Sequence, residues 1–302
     1  MNNPVAGSFR DPAGHVYDID GRIIRTIAPE AVEDFRQVMA APCFQSLIDD
    51  GWLIDSNILS AEDCPLDLPD KTMAIEHSRI PFISYPYEWS FAALKSAALL
   101  HLDLHIRCMD DNITLCDGSA YNIQFIGPRP VFIDLLSLRP YREGEPWAGY
   151  RQFCEQFINP LLLGAKLGIA PNAWYRGALE GITAGDLASM LKWQHRLSWN
   201  MFWHVFMQAS LQNKATAQSG NSVPKIPHVA RAGKIAILKQ LRKWIASLSL
   251  KSSGISTWGD YAHSHSYDSD AESQKRDFVA AAVKDVTPAT LLDLGCNVGD
   301  YT

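Results

Sequence analysis

Three polar residues stand at spacings that could hold a metal ion beside a phosphate group. Asn122 follows Asp117 by five positions, and Asp134 follows Asn122 by twelve. β-prone residues flank Gly127-Pro128 between the last two, so we expect a hairpin that sets Asp134 beside Asn122. Carboxylate and amide oxygens suit magnesium. Phosphoryl transfer requires phosphates held by a metal ion and a carboxylate near the acceptor hydroxyl. The spacing of these three residues therefore indicates phosphoryl transfer.

A simpler interpretation of the same residues also stands. Asp117 is then a turn residue, Asn122 caps the start of a strand, and Asp134 ends a strand at the surface. An Asp followed by Asn five positions later is weak evidence alone. The hairpin and the terminal Asp134 make the metal-site interpretation the stronger of the two.

With these residues in place, segment 81–163 resembles the catalytic core of the protein-kinase-like superfamily, and it is most similar to the aminoglycoside and small-molecule phosphotransferase branch. The resemblance implies that Asp117 is the catalytic base and that Asn122 and Asp134 are metal ligands. It also implies ATP and magnesium as cofactors. Segment 81–86, with prolines at both ends, would be the hinge between a small β lobe and a helical lobe.

The sequence departs from that family near its start. No Gly-rich loop precedes the first predicted strand, no Val-Ala-Ile-Lys motif is present, and Leu115 stands where the family often has His. A hairpin is predicted over residues 15–27, because β-prone runs flank Asp20-Gly21. Arg25, on its second strand, occupies the place of the family's phosphate-binding Lys. Arg keeps the charge of Lys but not its geometry.

A second pattern lies at the end of the chain, after a strand predicted over residues 290–294. Asp293 opens the run Asp-Leu-Gly-Cys-Asn-Val-Gly, whose glycines are Gly295 and Gly299. Glycines after a strand let the backbone approach a nucleotide closely. The run resembles the first motif of class I S-adenosylmethionine-dependent methyltransferases. By that resemblance, Asp293, Gly295 and Gly299 line the methionine and ribose side of S-adenosylmethionine. The alternative is an ordinary strand-to-helix turn without a ligand.

The whole chain resembles the front part of bacterial methyltransferases, some of them associated with nodulation, that carry an extra N-terminal domain. We therefore expect an α+β fold with a two-lobed kinase-like domain at 1–211, divided into a small lobe at about 1–85 and a helical lobe at about 86–211. A linker with a basic amphipathic helix is expected at 212–257. The first part of a Rossmann-like methyltransferase domain is expected at 258–302, truncated just after its first motif. Because one strand cannot form a parallel sheet alone, we expect no useful S-adenosylmethionine binding by these residues.

Composition narrows the class of protein. The chain has 302 residues, 47% of them hydrophobic and 20% charged, which is typical of a soluble globular protein. The net charge of −6 gives no indication of nucleic-acid binding, but residues 187–259 contain no acidic residue. The six cysteines lack zinc-site spacing. No signal peptide or membrane-spanning run is evident, so the cytoplasm is the expected location.

Three further features have more than one interpretation. The basic helix at 231–250 could lie on an anionic membrane, or it could pack its apolar side on a neighbouring domain. His101 and His105 stand four apart on a predicted helix, as a metal pair would, although structural histidines are the commoner case. The aromatic residues at helical spacing within 187–211 are expected to be core residues, namely Trp193, Trp199, Phe202, Trp203 and Phe206.

Three hypotheses for function follow. The first is methyl transfer from S-adenosylmethionine by the intact protein, in which the kinase-like module binds or modifies a small-molecule or glycan acceptor. The second is a Mg-ATP-dependent small-molecule or sugar phosphotransferase. The third is a non-catalytic, pseudokinase-type binding module.

Overall fold

The computed structural model describes residues 4–10, 13–210, 228–251 and 269–294. The chain divides into two compact units, Met1–Lys251 and Ser252–Thr302. The first unit is mixed α/β, as the sequence predicts. Nearly all of the regular structure, and the polar cluster described below, belong to it.

The strands of the first unit form three antiparallel sheets. The largest sheet has the order β1-β2-β4-β3, and the pairs β5-β8 and β6-β7 form two-stranded sheets. The strands are β1 Val16–Ile19, β2 Arg22–Ile27, β3 Ser56–Ile58, β4 Met73–His77, β5 Ile113–Leu115, β6 Ile123–Ile126, β7 Arg129–Phe132 and β8 Leu138–Pro140.

The helices of the first unit follow the large sheet and then dominate the chain. They are α1 Pro29–Ala40, α2 Pro42–Asp49, α3 Phe91–Asp110, α4 Tyr150–Phe153, α5 Asn159–Leu162, α6 Pro171–Tyr175, α7 Ala184–Met190, α8 Trp199–Met201 and α9 Arg231–Ser247. Stretches of π-helix continue three of them, at Cys154–Ile158, Leu163–Leu167 and Phe202–Phe206. Short 3₁₀ turns lie at Ala6–Arg10, Pro86–Glu88, Ala120–Asn122, Leu135–Ser137 and Trp193–Leu197.

The first hairpin forms where the sequence predicts it. Asp20 and Gly21 have φ values of +49° and +84°. A two-residue turn of this kind needs positive φ at both central positions, which Asp and Gly tolerate. The turn fixes the pairing of Val16 with Arg25, and thereby places Arg25 in the second strand of the sheet.

The core is organised around α3. Leu94, Ala97, Leu102 and Leu104 are fully buried although they point in different directions around the helix. A helix that is apolar on several sides needs neighbours on several sides, and α3 packs against β5, β7 and α9. It is therefore the element against which both the polar cluster and the last helix of the unit are positioned.

The last helix of the unit, α9, packs its apolar side on α3. Leu238, Leu241 and Ile245 are fully buried there, and Lys95 on α3 donates from Nζ to the carbonyl oxygens of residues 246 and 248, each at 2.7 Å. The sequence placed this helix in a linker at 212–257, whereas it belongs to the compact unit Met1–Lys251. Burial of its apolar side favours the packing interpretation over a membrane-surface one.

The aromatic stripe within 187–211 is not the core helix that we expected. Trp193 and Trp199 are 76% and 68% exposed. The segment folds into 3₁₀, α and π turns rather than one α-helix, so helical spacing along the sequence does not bring these rings to one buried face. The described residues of this segment that belong to the buried hydrophobic core are Leu187, Leu191, Met201 and Val205.

The second unit contains α10, Ser269–Val286, as predicted from the sequence at 271–285. The strand expected at 290–294 is not formed in the described residues, which are irregular from Thr287 to Leu294. A strand is stabilised by hydrogen bonds to a neighbour. Of the helices in the described ranges, none combines the length and apolarity that crossing a bilayer demands.

Candidate functional site

Asp117, Asn122 and Asp134 converge on one point of the first unit. Asn122 Nδ2 lies 3.1 Å from Asp117 Oδ2 and 3.3 Å from Asp134 Oδ2. The β6–β7 hairpin produces this arrangement, since its pairing continues to a hydrogen bond from the Ile133 N–H to the Asn122 carbonyl at 2.8 Å. The amide thus bridges two carboxylates that would otherwise repel each other.

Arg25 reaches the same cluster from the large sheet. Its Nη1 lies 2.6 Å from Asp134 Oδ1, and the two side chains are 10% and 21% exposed. The two residues are 109 positions apart in the chain. Their ion pair therefore joins β2 to the end of the β6–β7 hairpin, and it brings a guanidinium to the edge of the carboxylate pair.

Ser137 completes the contacts of Asp134 and was not among the residues predicted from the sequence. Its hydroxyl accepts from Asn122 Nδ2 at 3.1 Å and donates a short hydrogen bond to Asp134 Oδ2. The signal available in the sequence was weak, namely a hydroxyl residue three positions after an Asp at a strand end. Ser137 holds Asp134 and Asn122 in register.

The loop that carries Asp117 is fixed from beneath by two glutamines one helical turn apart. Gln152 Oε1 accepts from the Gly118 N–H at 3.0 Å, and Gln156 Oε1 accepts from the Ala120 N–H at 2.8 Å. Gln156 is 1% exposed. Two glutamines spaced by four among the apolar residues Phe153, Cys154 and Phe157 were the signal by which the sequence could have revealed them.

His101 supports the same loop rather than pairing with His105 as a metal site. The ring of His101 is fully buried, and its Nε2 donates to the Asp117 carbonyl at 3.1 Å. His105 Nε2 contacts the Thr114 hydroxyl at 2.9 Å. Burial lowers the pKa of His101 to about 4, so this imidazole is neutral at pH 7 and acts as a hydrogen-bond donor.

The carboxyl of Asp117 has a raised pKa. Burial is the largest cause, and the negative charge of Asp134 adds to it. The hydrogen bonds from Asn122 and from the Ser119 N–H act in the opposite direction. A carboxylate with a raised pKa is a stronger base than an ordinary aspartate, which suits proton abstraction.

His77, on β4, borders Arg25 and Asp134. Its Nδ1 lies 2.7 Å from the Ser56 hydroxyl. Burial is the main cause that lowers its pKa to about 4, and the positive charge of Arg25 adds to the effect. The ring is therefore neutral at pH 7, and Arg25 is the positive charge on this side of the cluster.

The donor set fits a magnesium ion that is completed by phosphate. Across the described ranges, no three His, Cys, Asp or Glu side chains are grouped to hold a metal. Magnesium commonly takes only one or two protein oxygens and draws the rest from water and substrate phosphates. Asp134 and the amide oxygen of Asn122 would be those protein ligands, once the Asn122 amide rotates from the orientation in which Nδ2 donates to Asp134.

The interlobe segment predicted at 81–86 is anchored to β6. Gln124 Oε1 accepts from the Ser84 N–H at 2.9 Å, and Gln124 Nε2 donates to the Ser84 carbonyl at 3.0 Å. Gln124 is buried, whereas Phe82 is 74% exposed. The segment is thus held at one residue and presents an aromatic side chain to solvent beside it.

The residues predicted for S-adenosylmethionine belong to the second unit, Ser252–Thr302. Asp293 is half-buried in the second unit. Gly295 and Gly299 lie outside the described residues. Four of the predicted site residues are therefore brought together, namely Arg25, Asp117, Asn122 and Asp134.

Comparison with known proteins gives one strong similarity in sequence. The chain is 40% identical over 303 residues to nodulation protein NoeA of Rhizobium meliloti (strain 1021), an alignment that covers 99% of this chain and 63% of NoeA. The chain thus spans less than two thirds of that relative. The predicted likeness to a nodulation protein is confirmed, whereas the methyltransferase class stays a prediction.

Two other comparisons complete the picture. No protein-family profile matches the sequence. Among solved structures, vaccinia related kinase 3 aligns over 81% of each chain with a TM-score of 0.35 and 13% identity.

Proposed function

We propose that the unit Met1–Lys251 transfers a phosphoryl group from magnesium-bound ATP to a hydroxyl group of a small molecule or glycan. One observation carries the proposal: the Asn122 amide holds the carboxylates of Asp117 and Asp134 together, at 3.1 and 3.3 Å. A base and a metal ligand held side by side, next to a cation, are the parts that phosphoryl transfer requires.

Asp117 is the proposed base. Its carboxylate accepts the proton of the acceptor hydroxyl as that oxygen attacks the phosphoryl group. The Asn122 amide and the Ser119 N–H, at 3.1 and 2.9 Å, hold the two oxygens of this carboxylate in place. Because Gln152 and Gln156 fix the loop that carries Asp117, this loop needs little reorganisation when the acceptor binds.

Asn122 and Asp134 are the proposed magnesium ligands, and the ion would neutralise charge on the phosphates. Arg25 is the proposed phosphate-binding cation. Its ion pair with Asp134 keeps the guanidinium within the cluster before a nucleotide binds. Arg can bind phosphate with two parallel hydrogen bonds, which a Lys cannot do.

A non-catalytic binding module is the second candidate, and the same ion pair favours it. At 2.6 Å, the contact between Arg25 and Asp134 engages both the phosphate-binding cation and a metal ligand. Nucleotide binding would have to loosen this contact. In this second function, the ion pair only links the large sheet to the β6–β7 hairpin. The acceptor molecule then binds to the protein without being phosphorylated.

Thermal unfolding with ATP distinguishes the two candidates. A ligand that binds only the folded state raises the melting temperature. Phosphotransfer predicts a rise with ATP and magnesium, none with ATP and EDTA, and none for Asp134→Ala. Asp67→Ala, at an exposed position outside the cluster, is the matched control and should keep the rise. No rise for the parent protein would refute phosphotransfer.

Asp117→Asn separates binding from chemistry. Since Asp117 is not a proposed metal ligand, this variant should keep the ATP-dependent rise in melting temperature but lose most release of labelled γ-phosphate. If γ-phosphate release is unchanged in Asp117→Asn, the base has been assigned wrongly.

Methyl transfer from S-adenosylmethionine is proposed for a protein of the length of NoeA. The supporting observations are the run from Asp293 to Gly299 and the 63% of that relative which this chain spans. The test is transfer of labelled methyl groups to cell extract by the longer protein. Asp293→Ala should abolish transfer, while Asp270→Ala, an exposed residue of α10, should not.

A further inference from the structure

A cavity of about 420 Å³ lies beside α9, and its lining includes none of Arg25, Asp117, Asn122 and Asp134. Its volume is within the range of small-molecule sites. Its walls come from the segment before α4, from the turns around α8 and from α9; the lining residues that matter here are Trp147, Tyr150, Trp199, Trp203, His204 and Lys234.

The walls of this cavity are flat and mainly apolar. Trp199 and Trp203 pack edge to face with ring centres 5.5 Å apart, and Trp203 is 43% exposed. Trp147 and Tyr150, which also line the cavity, are more buried than these two rings. Aromatic walls of this kind favour ring-bearing molecules, because rings stack on rings with a further gain beyond apolar burial.

One charged group in the lining has no hydrogen-bond partner in the described part of the chain. Lys234 is 3% exposed, and its Nζ makes no hydrogen bond to any described residue, although it lies 4.4 Å from the centre of the Tyr141 ring. The carboxylate oxygen Glu145 Oε1 is 3.9 Å away and likewise has no hydrogen-bond partner among those residues. That separation is too long for a direct hydrogen bond. A buried ammonium without hydrogen bonds is costly.

The charge around Lys234 is already balanced. Glu145 accepts from Arg139 Nη2 at 2.8 Å, and Glu143 accepts from the N–H at the start of α9 at 3.2 Å. The charges of Lys234 and Arg139 are thus matched by those of Glu145 and Glu143, and of these four residues Lys234 is the one that lines the cavity. The missing partner is therefore an uncharged oxygen rather than an anion.

We propose that this cavity binds an uncharged, ring-bearing molecule through a hydroxyl group that accepts from Lys234 Nζ. A hydroxyl group is both acceptor and donor. Both Lys234 Nζ and Glu145 Oε1 are buried and 3.9 Å apart, so the Lys234 side chain has to shift to admit the hydroxyl, which then also donates to Glu145 Oε1. The aromatic wall selects the ring, and the charge-balanced pair selects the hydroxyl over a carboxylate or a phosphate.

The test uses three probes of matched shape on the full chain at pH 7: 2-naphthol, 2-methylnaphthalene and 2-naphthoate. Binding is followed by equilibrium dialysis. We expect 2-naphthol to bind about tenfold more tightly than either of the others, since a hydrogen bond to a charged group is stronger than one between neutral groups. Equal binding of all three probes, or tightest binding of the naphthoate, would overturn the proposal.

Two variants locate the binding. Lys234→Met keeps the apolar stem and should weaken 2-naphthol by about tenfold while leaving 2-methylnaphthalene unchanged. Trp203→Ala should weaken both by about fivefold. The matched controls are Lys239→Met, an exposed lysine of the same helix, and Trp193→Ala, an exposed tryptophan outside the lining. If Lys234→Met does not fold, the affinities of Trp203→Ala and Trp193→Ala for 2-naphthol still test the proposal. Equal affinities of these two variants would show that the probe binds outside this cavity.

Discussion

The imidazole of His77 should make the protein lose stability in mild acid. His77 is 9% exposed, and its pKa falls from 6.5 to about 4, mainly through burial and also through the charge of Arg25. As pH falls below 6.5, the unfolded chain binds the proton while the folded protein does not. The effect is absent well above this pH, grows below it and is complete near pH 4.

The size of the effect follows from the two pKa values. One pKa unit corresponds to about 1.4 kcal/mol. The loss of unfolding free energy caused by His77 is then about 2 kcal/mol at pH 5 and about 3 kcal/mol at pH 4. His101, His105 and His204 are also buried with lowered pKa values, so the parent protein should lose more than this in total.

His77→Phe isolates the contribution of one ring. Urea unfolding followed by tryptophan fluorescence gives the free energy of unfolding at pH 8 and at pH 5. The variant should lose about 2 kcal/mol less than the parent between these pH values, because the other histidines titrate equally in both. Ser56→Ala, which removes the 2.7 Å contact to His77 but keeps the imidazole, should retain the acid sensitivity of the parent. Equal losses in the parent and in His77→Phe would show that burial does not hold this ring neutral.

Three other changes test the packing and the cluster. Leu241→Ala in α9 should cost about 2–5 kcal/mol of unfolding free energy, whereas Ile237→Ala, 40% exposed on the same helix, should cost much less; similar values would show that α9 is peripheral. Gly149→Ala should lower both stability and γ-phosphate release, because a Cβ there would lie 2.7 Å from the carbonyl carbon of Asp117; unchanged release would show that the loop tolerates displacement. Asn122→Ala should raise the pKa of the Asp117 carboxyl further, measured by ¹³C NMR titration, since the hydrogen bond that lowers it is lost; a fall in that pKa would contradict the bridging role.

Local rules were sufficient for the features whose partners are close in sequence. The Asp20-Gly21 turn follows from two residues that accept positive φ. The approach of Asp134 to Asn122 follows from a hairpin that spans only twelve positions. In both cases the chain between the partners is short enough for residue types and spacing to fix the geometry.

Local rules did not predict the structure of the aromatic segment 187–211 or the position of the helix assigned to the linker. Trp199 was expected in the core because helical spacing was assumed through 187–211, but the backbone changes between 3₁₀, α and π turns. The basic helix α9 was expected in a linker because residues 212–230, which precede it, lack apolar periodicity. Its partner is α3, more than a hundred residues earlier.

The sequence by itself determined that a carboxylate, an amide and a second carboxylate meet at one hairpin. Only the tertiary structure decided that Arg25 joins them across 109 positions and that Gln156 fixes the loop that carries Asp117. It also decided that Lys234 lines an aromatic cavity without a hydrogen-bond partner among the described residues. Contacts of this kind depend on how helices and sheets pack. That packing is a collective result of apolar burial over the whole unit, which the spacing of a few residues cannot express.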